Sequence, residues 1–205
     1  LSRLIAFGCS STYGQGLPDC TTGREKPSKY AWPSLLSKDL GLELVNKSLC
    51  GAPNKKILLE ILNFPFNETD RVAILWSFHH RGYLFNKHLD SRPVMITDND
   101  TKEYYMMHTE YDMCVNTHLD MHHAYSFLEK NNLKNYHFYF DKSLRNHLDK
   151  KENIVTMPGT YVPYVYEIQA DKGTDKIHPG VLSQVKISNF ILEKIHEADN
   201  VNSRL

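Results

Sequence analysis

Residues able to do chemistry gather near the two ends of the 205-residue sequence. Near the start, the apolar run Leu4-Ile5-Ala6-Phe7 stops at Gly8, and Cys9, Ser10, Ser11 and Thr12 follow before a second glycine, Gly14. Any of these four can serve as a nucleophile or a donor when it sits just past the carboxyl end of a buried strand, where ligands meet an open α/β sheet. Near the other end stands Asp175-Lys176-Ile177-His178, an acid and an imidazole three residues apart. A serine becomes a nucleophile when a base takes its proton and an acid orients that base. The developing oxyanion then needs donors. Two further groups of histidines could take part. His79 and His80 follow the run Val72-Ala73-Ile74-Leu75-Trp76, and His118 and His122 stand four apart, a spacing that suits a metal on one helix face.

The elements that must position these residues follow from the hydrophobic pattern. Apolar runs predict strands at 4–7, 42–46, 72–76 and 136–140, with extended pieces at 154–157 and 161–168. Helices are predicted over 29–40, capped by Ser28 with Pro33 in its first turn, and over 54–62, capped by Asn54. Others are predicted over 116–131, 143–149 and 180–198. The expected buried faces are Leu119, His123, Phe127 and Leu128 on the helix at 116–131, and Leu182, Val185, Leu192 and Ile195 on the last. Between 83 and 115 the period breaks, which reads as an insertion or cover over the sheet edge. Strands alternating with helices over short connections predict a parallel sheet with crossover helices.

Composition narrows the function. One domain over 1–205 is expected from this length. Twenty-four basic and 24 acidic side chains give a formal net charge of zero, against a nucleic-acid binder that relies on a general basic field. No apolar run approaches the roughly 18–20 residues of a membrane span, so no membrane partner is expected. No charged-then-apolar leader stands at the start, and Cys9, Cys20, Cys50 and Cys114 are too sparse and irregular for a disulfide scaffold or a Cys-x-x-Cys metal site. The expectation is reduced thiols and a cytoplasmic protein.

Three stretches in order give the chain a resemblance to the SGNH hydrolases, the GDSL-type esterases and lipases. These are Phe7-Gly8-Cys9-Ser10-Ser11-Thr12-Tyr13-Gly14, then Asn46-Lys47-Ser48-Leu49-Cys50-Gly51, then Asp175-Lys176-Ile177-His178-Pro179-Gly180. The resemblance implies a three-layer α/β/α sandwich, flavodoxin-like, around a mostly parallel sheet of about five strands. It implies Ser10 as nucleophile, His178 as base and later acid, and Asp175 as the residue that orients His178. The N–H groups of Ser10 and Gly51 would line the oxyanion hole. No metal and no cofactor is implied. Two positions depart from the family pattern. Cys9 stands where the family has Asp, and the register still gives Ser10 the reacting place. His79 stands where the family's third motif has an Asn that donates to the oxyanion; an imidazole N–H can donate in its stead.

The function expected is a serine hydrolase that cleaves an ester through an acyl-enzyme on Ser10. Its substrate would be a small-molecule or glycan ester, with a small acyl group on a sugar or another polar alcohol. Tyr13, Asn54 and Arg81 are the candidate substrate-binding residues. One alternative is a non-catalytic carbohydrate- or ligand-binding module on a degenerate SGNH fold. A second is a metal-dependent hydrolase built on His118 and His122, although Leu119 stands where the zincin pattern has Glu. The serine reading requires Ser10 Oγ within hydrogen-bond reach of His178, and His178 within reach of Asp175.

Overall fold

The computed structural model describes residues 2–23, 25–85, 91–94, 102–139, 160–161 and 165–202. Its centre is a five-stranded sheet. The strands are β1 (Arg3–Gly8), β2 (Glu43–Asn46), β3 (Arg71–Trp76), β6 (Lys134–Tyr139) and β7 (Thr160–Tyr161). They lie in the order β2-β1-β3-β6-β7, and every neighbouring pair is parallel. The expected parallel sheet is therefore the one observed.

The strands are hydrophobic on both faces, and their alternation assigns each residue to a layer. Leu4, Ala6, Ala73, Leu75 and Phe138 point to one side, where they pack with Trp32 and Leu36 of α2 (Trp32–Asp39) and with Ile187, Ile191 and Ile195 of α6 (Val181–Asn202). Ile5, Phe7, Val72, Ile74 and Trp76 point to the other, against Ile57, Leu58 and Ile61 of α3 (Asn54–Leu62) and Met121, Ala124 and Leu128 of α5 (Glu110–Lys130). This is the three-layer sandwich. At the amino-terminal end of the strands, Arg3 forks onto the buried Asp70 carboxylate at 2.9 and 2.6 Å.

After β1 the chain crosses to β2 on one side, then returns past β1 to β3 on the other. The strand order reverses beside β1, the place where open α/β sheets bind their ligands, outside the carboxyl ends of the strands. The short α1 (Ser10–Tyr13) stands at that point.

Several elements differ from the sequence reading. Helix α5 starts at Glu110 rather than 116, because Thr109 accepts from Asp112 N at its N-terminus and Glu110 and Asp112 fill its first turn. Residues 110–115, read as part of the cover, thus belong to α5. The rest of that segment, as described, is the antiparallel pair β4 (Gly82–Phe85) and β5 (Ser91–Val94) with α4 (Lys102–Met107). The buried face of α5 runs through Cys114, Thr117, Asp120, Met121, Ala124 and Leu128; Leu119 and His123 are exposed. On α6 the buried face is Gln184, Ile187, Ser188, Ile191 and Ile195, while Leu182 and Val185 are exposed. Leu128 and Ile195 are buried as expected; the two faces otherwise differ because they contain polar residues, which hydrophobic spacing skips. Ser28 does not cap α2, whose N-cap is Ala31, and Pro53 rather than Asn54 caps α3. The expected elements at 143–149 and 154–157 lie outside the described residues, as does part of 161–168; Val165–Ile168 forms a 3₁₀ turn.

One buried histidine ties β3 to β6. Trp76 Nε1 donates to His137 Nδ1 at 3.1 Å, and His137 Nε2 lies 3.1 Å from Asn135 Oδ1. Full burial holds this imidazole neutral and lowers its pKa to about 3. The unfolded chain, with an ordinary histidine value near ~6.5, takes up a proton that the folded chain refuses. Stability from this group is therefore complete above about pH 6.5 and is lost as pH falls toward 3. The carboxylates of Asp70, Asp171, Asp175 and Asp199, all held below their usual range, add their losses at lower pH. Thermal unfolding from pH 7 to pH 5 should cost the wild type about 2 kcal/mol, or about 4–8 °C. In His137→Gln, which keeps an acceptor for Trp76, less than half of that loss is expected.

Candidate active site

Ser10 heads α1, two residues beyond the last pairing of β1. Its Oγ lies 2.9 Å from His178 Nε2, and His178 Nδ1 lies 2.6 Å from Asp175 Oδ2. Three side chains from positions 10, 175 and 178 thus form one hydrogen-bonded line. Burial pushes the Asp175 carboxyl up, but the His178 ring and the N–H groups of Ile177 and His178 outweigh it. Those N–H groups donate to Asp175 Oδ1 at 2.9 and 3.0 Å, and the net value lies below the usual carboxylate range. The carboxylate is ionised at neutral pH and can hold the imidazole with a proton on Nδ1.

The acid and imidazole sit on a tight turn. Lys172 and Pro179 form an antiparallel bridge, Gly173 N donates to His178 O at 2.8 Å, and Gly180 N donates to Asp171 O at 3.1 Å. Lys176 takes a left-handed conformation, φ 59°, at the tip. The base of the turn is fastened to α6, where Asp171 accepts from Leu182 N and Ser183 N at 3.1 and 2.7 Å. Ser183 Oγ donates back to Asp171 O.

This turn docks on the loop after α1. Thr174 gives both its N–H (2.7 Å) and its hydroxyl (3.0 Å) to Gly16 O. The approach needs glycine on both sides. A Cβ on Gly173 would collide with Gly16 O, and one on Gly16, at φ 84°, would stand 2.7 Å from the Asp175 carboxylate. A third tie is Gln184 of α6, fully buried, whose Oε1 accepts from Trp32 N (2.8 Å) and whose Nε2 donates to Ser11 O (3.1 Å).

The loops after β2 and β3 flank α1. Asn46 accepts from Ser48 N at 3.0 Å and donates through Nδ2 to Thr12 O at 3.1 Å, so one side chain shapes the second loop and fastens it to α1. Gly51 in that loop has φ 76°, with open space where a Cβ would stand. Beyond β3, His79 is buried and its Nε2 lies 3.5 Å from Glu110 Oε1.

The other candidates divide. Asn54 is buried; it donates to Ser77 O (3.1 Å) and Thr117 Oγ1 (3.2 Å) and accepts from Ser77 N (2.7 Å). Its amide is thus committed to the protein, which removes it from the substrate-facing set and makes it a clamp on the end of β3. Arg81 donates to Ser77 Oγ at 2.9 Å and covers the Phe78 ring. Tyr13 donates its hydroxyl to Glu25 O. Cys9 is buried in the core cluster that also holds Phe7 and Ile57. The four cysteines are free, and burial, with neighbouring Cys20, Cys9 and Glu25, pushes the Cys50 thiol up to about 12. His118 is half-buried and His122 exposed, and among the described residues no three His, Cys, Asp or Glu side chains gather as a metal site. No helix among the described residues is long and apolar enough to cross a membrane.

Sequence reasoning missed Gly16, Gly173, Thr174, Asp171 and Gln184. Only the paired glycines left a signal there, and nothing in the sequence says which distant glycine each one meets.

The strand order and the line Ser10–His178–Asp175 at the sheet's reversal point define the class: the chain has the fold of the SGNH-type esterases and lipases. Among solved structures it is similar over 95% of its length to TesA, at a TM-score of 0.62 and 13% identity, covering 98% of that chain. It is also similar to an acetyl xylan esterase from the rumen bacterium Butyrivibrio proteoclasticus (TM-score 0.61, 11% identity, 97% of this chain and 64% of that one). A third is a family two carbohydrate esterase from Clostridium thermocellum in complex with cellohexaose (TM-score 0.58, 10% identity, 97% and 65%). The chain spans about two thirds of each of these two carbohydrate esterases. No protein-family model and no curated protein sequence matches it.

Gln184→Ala leaves Trp32 N and Ser11 O buried without partners. The expected cost is about 2–4 kcal/mol, read as a fall of about 5–15 °C in melting temperature.

Proposed function

We propose that this protein is a serine esterase that removes a small acyl group from a sugar or similar polar alcohol. The observation that carries the reading is the 2.9 Å contact of Ser10 Oγ with His178 Nε2, continued at 2.6 Å to Asp175. Ser10 attacks the ester carbonyl while His178 takes its proton. Asp175 keeps the imidazole in the required tautomer and balances the imidazolium. The oxyanion meets the N–H groups of Ser10 and Gly51, with His79 as the side-chain donor. The tetrahedral intermediate collapses, His178 gives its proton to the leaving alcohol, and the acyl group stays on Ser10. Water, deprotonated by His178, then releases the acid and restores Ser10.

The choice of a sugar ester is supported by the acetyl xylan and carbohydrate esterases among the similar structures. Arg81 and Tyr13, both half-buried near the strand ends, are the side chains proposed to meet the alcohol portion. A second reading, a carbohydrate-binding module without turnover, is favoured by one observation: His79 stands where the family's third motif has Asn.

One assay separates the two. With p-nitrophenyl acetate, Ser10→Ala should abolish turnover and Asp175→Asn should lower kcat by about 10³- to 10⁴-fold. Equal rates in wild type and Ser10→Ala would discard the esterase and leave the binding module, to be checked by titration with xylo- and cello-oligosaccharides.

A further inference from the structure

The four-residue α1 is too short to hold itself in place, since short helices depend on tertiary contacts. Local backbone bonds satisfy only two carbonyls at its start. Cys9 O accepts from Thr12 N and Tyr13 N, and Ser10 O from Gly14 N and Gln15 N. The next three are bonded from elsewhere: Ser11 O by Gln184 Nε2 and Thr12 O by Asn46 Nδ2, both at 3.1 Å, and Tyr13 O by Ser28 N at 2.9 Å. Ser11 directly follows Ser10, so Gln184 makes the outside bond nearest the nucleophile.

The residue before Gln184 holds the other half of the site. Ser183 Oγ accepts from Ala170 N and Asp171 N at 2.8 and 2.9 Å and donates to Asp171 O at 2.8 Å. The hydroxyl thus makes all three bonds open to it. The Asp171 carboxylate accepts from Leu182 N and Ser183 N, orphan donors of the first turn of α6. Asp171 adjoins the Lys172–Pro179 bridge at the base of the turn that carries Asp175 and His178. Ser183 and Gln184 are both fully buried. Gln184 is held in turn by Trp32 N on its Oε1 (2.8 Å) and by its own N–H on Gly180 O (2.9 Å). Two adjacent residues of one helix therefore grip the segment of Ser10 and the segment of His178.

We infer that Ser183 and Gln184 are positioning residues: together they set the separation of Ser10 from His178, Gln184 through Ser11 and Ser183 through Asp171. This rests on the esterase reading and deepens it. Neither side chain takes part in the proton transfers, which run from Ser10 to His178 and on to the alcohol. The 2.9 Å reach from Ser10 Oγ to His178 Nε2 joins residues 168 positions apart. A displacement of about 1 Å at such a contact can cost about a hundredfold in rate.

The test compares wild type, Ser183→Ala, Gln184→Met, their double variant and Asp171→Asn on p-nitrophenyl acetate, well below each melting temperature. Met keeps the length of Gln184 and bonds neither Ser11 O nor Trp32 N. Ser183→Ala and Gln184→Met should each lower kcat by about 10- to 100-fold, with KM held within about threefold. The two act as a unit, so the double variant should lose no more than about threefold beyond the worse single. The pH at which kcat/KM half-rises reports His178, whose bond to Asp175 lies within one turn; it should stay within about 0.5 of the wild-type value. Asp171→Asn, at a half-buried position, should lose at least about fivefold in kcat while melting within about 5 °C of wild type. An unchanged kcat in either folded single variant, losses that multiply in the double variant, or a moved pH midpoint overturns this inference alone. Where the core variants do not melt cooperatively, Asp171→Asn decides, and an unchanged kcat there overturns it. A wild-type rate no higher than that of Ser10→Ala overturns the esterase reading and this inference together.

Discussion

The Gly16 carbonyl is the point at which the two ends of the chain meet. Thr174 spends both its backbone N–H and its hydroxyl on that one oxygen. The contact fixes the turn that carries Asp175 and His178 against the loop that follows Ser10. It is possible because neither Gly16 nor Gly173 has a Cβ to keep the two backbones apart. Loosening it would leave every side chain of the line in place in the sequence and none in register in space. A misplacement of about 1 Å at a reacting centre can cost about a hundredfold in rate, so this docking decides the geometry more than the three residues themselves.

The sandwich sets the frame for that contact. β1 is buried by α2 and α6 on one face and by α3 and α5 on the other, so its carboxyl end cannot drift. The loops on either side are each fixed by a buried or half-buried asparagine. Asn46 ties the Gly51 loop to α1, and Asn54 clamps Ser77 at the start of the His79 loop. Both amides use donor and acceptor together. Without such an amide the backbone groups it binds would be left unpaired, at about 1–3 kcal/mol for each that is buried. Gln184 works in the same way from α6, bridging Trp32 and Ser11.

The local signals in this chain were strong where one element decides its own shape. The runs ending at Gly8 and Trp76 are apolar on both faces, and only a two-sided buried strand makes use of that. The order of Ser10, Gly51 and Asp175-x-x-His178 could be read for the same reason: each stands in a short loop whose residue types carry the chemistry. The helix faces were harder. On α6, Gln184 and Ser188 are buried, while Leu182 and Val185 are exposed. Hydrophobic spacing cannot find a face whose polar members are satisfied by distant partners. Asn54 shows the same limit, since its type and place suited a cap or a ligand contact, and its partners are Ser77 and Thr117.

The sequence by itself determined the alternation of strands and helices, the parallel sheet and the short list of candidate side chains at the strand ends. These depend on period, turn residues and side-chain chemistry within a few positions of each other. Tertiary structure alone decided that Gly173 meets Gly16, that Gln184 reaches Ser11, and that Glu110 faces His79. Each of those contacts joins residues 31 to 173 positions apart. Their partners are selected by the shape of the folded layers, to which no local pattern in the chain refers.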